Sequence, residues 1–204
     1  MRVTSVLVLT VIAVAFTSDW VSAKPAQKTR YTYYTVAGDS AQEIYSAMLR
    51  KGPKVNGAKA YASTSATTTQ DGKLLQSSSC RIDDYQLKID FVIKLPRIKN
   101  EKVLPPKDRG RWQQFSAFLK KHEETHRSIW LDCATSLEAQ VKSIKAKTCA
   151  EADKKAAALW EKMRTSCSKK HVAFDNAEQK KLMKHPFVRL VYGRSTQTHG
   201  AKVQ

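Results

Sequence analysis

Residues 122–126 read His-Glu-Glu-Thr-His. Two histidines four apart on a helix project from one face, one turn above the other. Both imidazoles can then reach a single zinc ion at about 2.0–2.1 Å. Glu123, directly after the first histidine, is placed to act as general base on a water held by that metal. The expected chemistry is metal-assisted hydrolysis, with His122 and His126 as ligands, Glu123 as the catalytic residue and one zinc ion as cofactor. The competing reading is a pair of buried histidines satisfied by hydrogen bonds. Two imidazoles in one apolar stripe would each need a separate partner, which favours the metal.

The element that must carry this pattern is visible in the hydrophobic period. From about Asp108 onward, Trp112, Phe115, Leu119, His122, His126, Ile129, Trp130, Cys133 and Leu137 fall within a helical arc of roughly 100°. Glu123 sits at the edge of that stripe, beside the histidines. For the third ligand, one zincin arrangement uses the residue six after the second histidine, here Asp132. That arrangement turns the chain at a glycine, and Ile129 stands in its place, so the helix continues and carries Asp132 to the opposite side. Glu138 leaves the stripe as well. His199, in Thr198-His199-Gly200, is the first candidate, ahead of Glu151 and Asp153 at the start of a second helix. His171 and His185 are the remaining histidines.

The rest of the chain divides by period. Residues 31–36 are rich in Tyr, Thr and Val and suit a strand. Asp39 or Ser40 caps a helix over 41–49, which Gly52-Pro53 ends. Residues 60–69 lean to β-structure, and Asp71-Gly72 is a hairpin turn signal. Strands are expected over 74–83 and 85–95, with Pro96 and Pro105-Pro106 bounding a basic loop. A second long helix is expected over 150–184, capped by Thr148 with Glu151 at the capping-box position and ended by His185-Pro186. Residues 187–192 read as strand-like. The fold class is therefore α+β: a small, mostly antiparallel sheet followed by two long packed helices, the first a zincin-like helix carrying HExxH. Residues 24–204 are expected to form a single domain, β-rich over 31–98 and helical over 108–185, with a tail over 186–204.

The N-terminus bears on compartment. Arg2 precedes an apolar run over 3–16, and Val21-Ser22-Ala23 has the small-x-small form of a signal-peptidase site, so residues 1–23 read as a cleaved signal peptide. No later run approaches the roughly 18 apolar residues of a membrane span. Export makes disulfides the expected state of Cys80, Cys133, Cys149 and Cys167, for which three pairings are possible. Among the 204 residues, 36 Lys and Arg oppose 18 Asp and Glu, a formal charge of +18. That excess favours anionic partners such as an envelope surface. No nucleic-acid motif accompanies it, so nucleic acid is not an expected partner.

Several segments in order form a wider pattern: Tyr34-Thr35-Val36-Ala37-Gly38, Gly52-Pro53, a Thr-rich strand, Ile93-Lys94-Leu95-Pro96-Arg97, then Trp112, Phe115, Leu119 and His122 to His126. The pattern resembles a bacterial family, domain of unknown function 922, described as predicted secreted zinc-dependent proteases. The resemblance spans roughly residues 31–200 and implies zinc ligation by His122 and His126 with Glu123 as general base. The family's Tyr-Asp, Thr, His-Gly ending is dispersed here, because Phe174-Asp175 and Thr198-His199-Gly200 lie far apart. The expectation is a periplasmic or secreted zinc metallopeptidase acting on a peptide or protein substrate. The alternative is a non-catalytic, cationic cell-envelope binding protein with a structural zinc or no metal.

Overall fold

The structure is a computed structural model describing residues 25–55 and 57–199, with 193–199 described by backbone alone. The expected signal peptide, residues 1–23, lies outside the described residues. The fold is mixed α+β. In chain order the elements are β1 (Ala26–Val36), α1 (Ala41–Lys51), β2 (Lys54–Val55), β3 (Ala58–Lys59), β4 (Ser63–Gln76) and β5 (Cys80–Ile98). There follow α2 (Pro106–Lys142), β6 (Lys145–Ala146), α3 (Cys149–Lys184) and α4 (Pro186–His199).

The main sheet runs β1-β5-β4, with the short β6 also on β5. Its β4–β5 and β5–β6 pairs are antiparallel, as expected, whereas β1 joins β5 in parallel. The Leu87, Ile89, Phe91, Ile93 alternation places its apolar set on one buried face of β5. Strand β5 contains the whole strand expected over 85–95 and residues 80–83 of the one expected over 74–83, whose first residues, 74–76, end β4 instead. Asp71-Gly72 is not the hairpin turn: β4 continues through it, and the chain reverses at Ser77–Ser79, where the Ser77 amide donates to the Ser79 carbonyl at 3.0 Å. The register instead shifts between Asp71 and Lys73, opposite Asp84 at φ 51°. A side chain at Gly72 would meet Ile82 at 3.1 Å and the Tyr85 ring at 3.2 Å, so glycine here serves a bulge and close packing. Pro96 is likewise inside β5, paired with Tyr34 of β1 just beyond the last β4 partner at Lys94, where a missing N–H costs the ladder least.

Both long helices form as read. Thr148 caps α3, its hydroxyl accepting from the Glu151 amide at 3.2 Å while Glu151 accepts from the Lys147 amide at 3.2 Å. The strand-like reading of 187–192 is corrected, since these residues open α4. Phe187, Val188 and Val191 are the buried ones, a helical spacing that an alternating strand would not give.

Two apolar clusters make up the core. One gathers α1, α4, the Tyr34–Val36 end of β1 and the start of α2 around Trp112, Phe115 and Phe187. The other lies between the middle of β5, the second half of α2 and α3, around Phe91, Leu137 and Met163. Of the three possible cysteine pairings the fold selects Cys80–Cys149 and Cys133–Cys167. The first ties β5 to the start of α3, and the second ties α2 to α3. These disulfides, together with the lack of any membrane-spanning helix among the described residues, are compatible with an exported protein.

Candidate metal centre

Helices α2 and α3 run antiparallel, as successive ring contacts show: Phe118 with His185, His122 with Phe174 and Trp130 with His171. Where they face one another, α2 presents His122 and His126 and α3 presents Asp175. The Nε2 atoms of the two histidines are 3.1 Å apart. The Oδ1 of Asp175 lies 3.2 Å from His122 Nε2 and 3.0 Å from His126 Nε2. Among the described residues this is the group whose ligand atoms converge closely enough to hold a metal ion.

The donor set fits zinc. Arms of about 2.0–2.1 Å in tetrahedral geometry put neighbouring ligand atoms roughly 3.3 Å apart, close to the three separations observed. Two imidazole nitrogens and a carboxylate are also ligand types that zinc accepts. Burial holds both histidines below their ordinary pKa, against the upward pull of Asp175, which keeps their ring lone pairs available near neutrality. His126 is further oriented from behind, its Nδ1 lying 2.8 Å from Nδ1 of His171. With the proton on Nδ1 of His126 donated to His171, the Nε2 lone pair is left facing the trio. His171 Nε2 in turn lies 3.8 Å from Cys167 Sγ.

Glu123 lies beside the histidines, as its place at the stripe's edge implies, and lines the same cleft. It is more buried than either histidine, at 5% exposure, and turns toward the sheet. The Thr64 hydroxyl, on β4, is within donating distance of its Oε2 at 2.8 Å and of its backbone carbonyl at 2.9 Å. Burial pushes its pKa up to about 7, with the Thr64 hydrogen bond pulling the other way and the Asp175 charge adding to the rise. Glu123, His122, His126, Asp175 and His171 all line one open cleft of about 950 Å³ between α3 and residues 60–64, floored by α2.

The other residues considered for the third ligand fall elsewhere. Glu151 is engaged in the α3 cap and pairs with Lys155 at 2.8 Å. Asp153 is exposed on the same first turn. At about 1.5 Å of rise per residue, both stand more than 30 Å along α3 from Asp175, so neither reaches the histidines. The side chain of His199 lies outside the described residues. Asp132 is exposed, while Glu138 is buried as acceptor for the Leu87 amide at 2.5 Å. His185 accepts from the Phe187 amide at 3.3 Å at the α3–α4 junction. The residue that sequence reasoning missed as a candidate ligand is Asp175, and it gave no orienting role to His171 behind it. A usable signal existed: Cys167, His171 and Asp175 recur every four residues, which places them along one face of α3.

Comparison with curated proteins and with solved structures finds no match. A model of the family described as a bacterial protein of unknown function (DUF922) matches residues 31–183, and the chain belongs to that family.

Proposed function

We propose that this protein is an exported zinc-dependent peptidase, periplasmic or secreted. The observation that carries the reading is the convergence of His122, His126 and Asp175 at 3.0–3.2 Å in an open cleft that Glu123 also lines. His122, His126 and Asp175 would hold the ion. When bound, zinc supplies Lewis acidity, which lowers the pKa of water and polarises a carbonyl. Glu123 takes the proton of the attacking water and returns it to the departing amine nitrogen. Thr64 holds that carboxylate in one position, and His171 holds the His126 ring. Three ligands leave a coordination position for substrate, as hydrolytic zinc sites require, whereas a structural site closes with four. The half-exposed Asp175 likewise faces an open cleft and not a sealed one.

Glu123→Gln separates this reading from a cationic binding protein that carries zinc only for structure. The exchange preserves size and hydrogen bonding but removes the base. The zinc-loaded variant is expected to bind one ion per chain, as wild type does, while its peptide-hydrolysis kcat falls about 10³-fold. Undiminished hydrolysis would remove Glu123 from the mechanism. No hydrolysis by the zinc-loaded wild type, combined with salt-sensitive binding to anionic polymers, would favour the binding protein.

A further inference from the structure

We infer that the cleft takes an extended polypeptide along its whole length and cuts it at an internal bond, a statement that rests on the peptidase reading above. The α3 wall of the cleft reaches from Glu161 to Leu182. At about 1.5 Å per residue that wall is roughly 31 Å long, enough for about nine residues of extended chain. The metal trio is not at an end of it. Asp175 stands about 21 Å along α3 from Glu161 and about 10 Å from Leu182. The α2 floor agrees, with Phe118 and Leu119 on one side of the two histidines and Trp130 on the other. Chain therefore has somewhere to lie on both sides of the reacting bond.

The opposite wall suits a polypeptide in particular. Residues 60–64 lead into β4, and β4 is the outer strand of the sheet order β1-β5-β4. Among the described residues its outer edge has no strand partner, so where β4 enters the cleft, at Ser63 and Thr64, an extended backbone can pair alongside it whatever its side chains. Thr64 sits on this strand and also holds Glu123, so the same segment that would align the substrate positions the base.

Recognition of a chain terminus would need an available charge within about one residue, some 3.5 Å, of the scissile bond. Among the described residues the cleft does not offer one. Arg164 lies about 16 Å along α3 from Asp175 and is bonded to Glu161 at 3.1 Å. Lys169 is about 9 Å away along the same axis. Glu178, one turn from Asp175, is paired with Lys181 at 2.6 Å. Beyond Glu178 and Gln179, the end nearer Leu182 is lined by Phe118, Leu119 and Tyr61, which suit an apolar side chain there.

The test uses the zinc-loaded protein and mass spectrometry of the products. Substrates are unstructured peptides of about twelve residues, N-acetylated and C-amidated, their unblocked forms, and blocked dipeptides. The expected result is internal cleavage of the blocked long peptides, with kcat/KM at least about 10-fold above the blocked dipeptides, because binding along the cleft contributes to the transition state. Val172→Arg, at a 55% exposed position on the cleft wall, is expected to lower kcat/KM for long peptides while zinc stays at one ion per chain. Release of terminal residues only, loss of cleavage on blocking the termini, or no change in Val172→Arg would overturn the inference and leave the peptidase reading standing. No cleavage of any peptide would overturn both.

Discussion

Around Trp112, Phe115 and Phe187 the core is closed by aromatic rings, with Trp112 and Phe115 each 5.1–5.5 Å from Phe187, and no cysteine takes part. Around Leu137 and Met163 it is closed mainly by aliphatic side chains, with Tyr85 and Phe91 as its buried rings, and three of the four disulfide cysteines are buried there. Large rings supply enough buried area to hold their elements unaided. Aliphatic side chains bury less area each than large rings, and on this side covalent ties add to them by restricting the unfolded chain. The polar break between the two clusters is where His122, Glu123 and His126 sit. Leu119 on one side belongs to the aromatic cluster, and Ile129 and Cys133 on the other pack with the cross-linked one. The candidate metal centre thus spans a seam whose cross-linked side sets the spacing of α2 and α3.

The sharpest challenge to this division is Trp112→Ala. It should cost about 3–5 kcal/mol in chemical denaturation, as buried aromatic truncations do, with zinc affinity under native conditions left near wild type. Affinity falling in step with stability would show that the aromatic cluster also sets the ligand geometry.

The two disulfides provide the next comparison. In the chain-entropy account, the loop of 69 residues closed by Cys80–Cys149 contributes about 4.4 kcal/mol, and the loop of 34 closed by Cys133–Cys167 about 3.8 kcal/mol. Replacing either pair by alanine should therefore destabilise to a similar degree. Only the Cys133→Ala, Cys167→Ala double variant should also weaken zinc binding, by about tenfold, because that bond joins the two helices carrying the ligands. Equal zinc affinities in the two double variants, measured by competition with a chelating dye, would remove the link between cross-link and site.

In free energy the smallest expected effect is at His171, where it falls on zinc affinity alone. His171→Phe keeps the ring volume but takes away the acceptor facing His126 Nδ1, and should weaken zinc binding about 10–100-fold. His171→Asn, which restores an acceptor, should recover part of that loss. A structural role alone would show as lowered stability in both variants with no difference between them in zinc affinity.

Much of the scaffold was legible because periodicity is local. The apolar stripe from Trp112 to Leu137, the alternation in 87–95, and the Ser40 and Thr148 caps each depend on neighbours within a few residues, and each appears where it was read. Asp71-Gly72 and residues 187–192 were misread for a common reason. The local signals there are compatible with two conformations, and packing chose between them: Tyr85 and Ile82 against Gly72, and the aromatic cluster against Phe187.

The candidate site divides in the same way. His122, Glu123 and His126 follow from the sequence by themselves, since one turn of helix determines their relative placement. That Glu123 turns to Thr64, that His126 leans on His171, and that Asp175 is the carboxylate meeting the histidines depend on contacts between residues 45 to 59 positions apart. The contacts of His122 and His126 with α3 exist because α3 folds back antiparallel along α2 and is cross-linked to it at Cys133–Cys167, and that of Glu123 because β4 packs against α2. No local preference encodes which turn of one long helix lies opposite a given turn of the other. The tertiary packing of α2, α3 and β4 decides it.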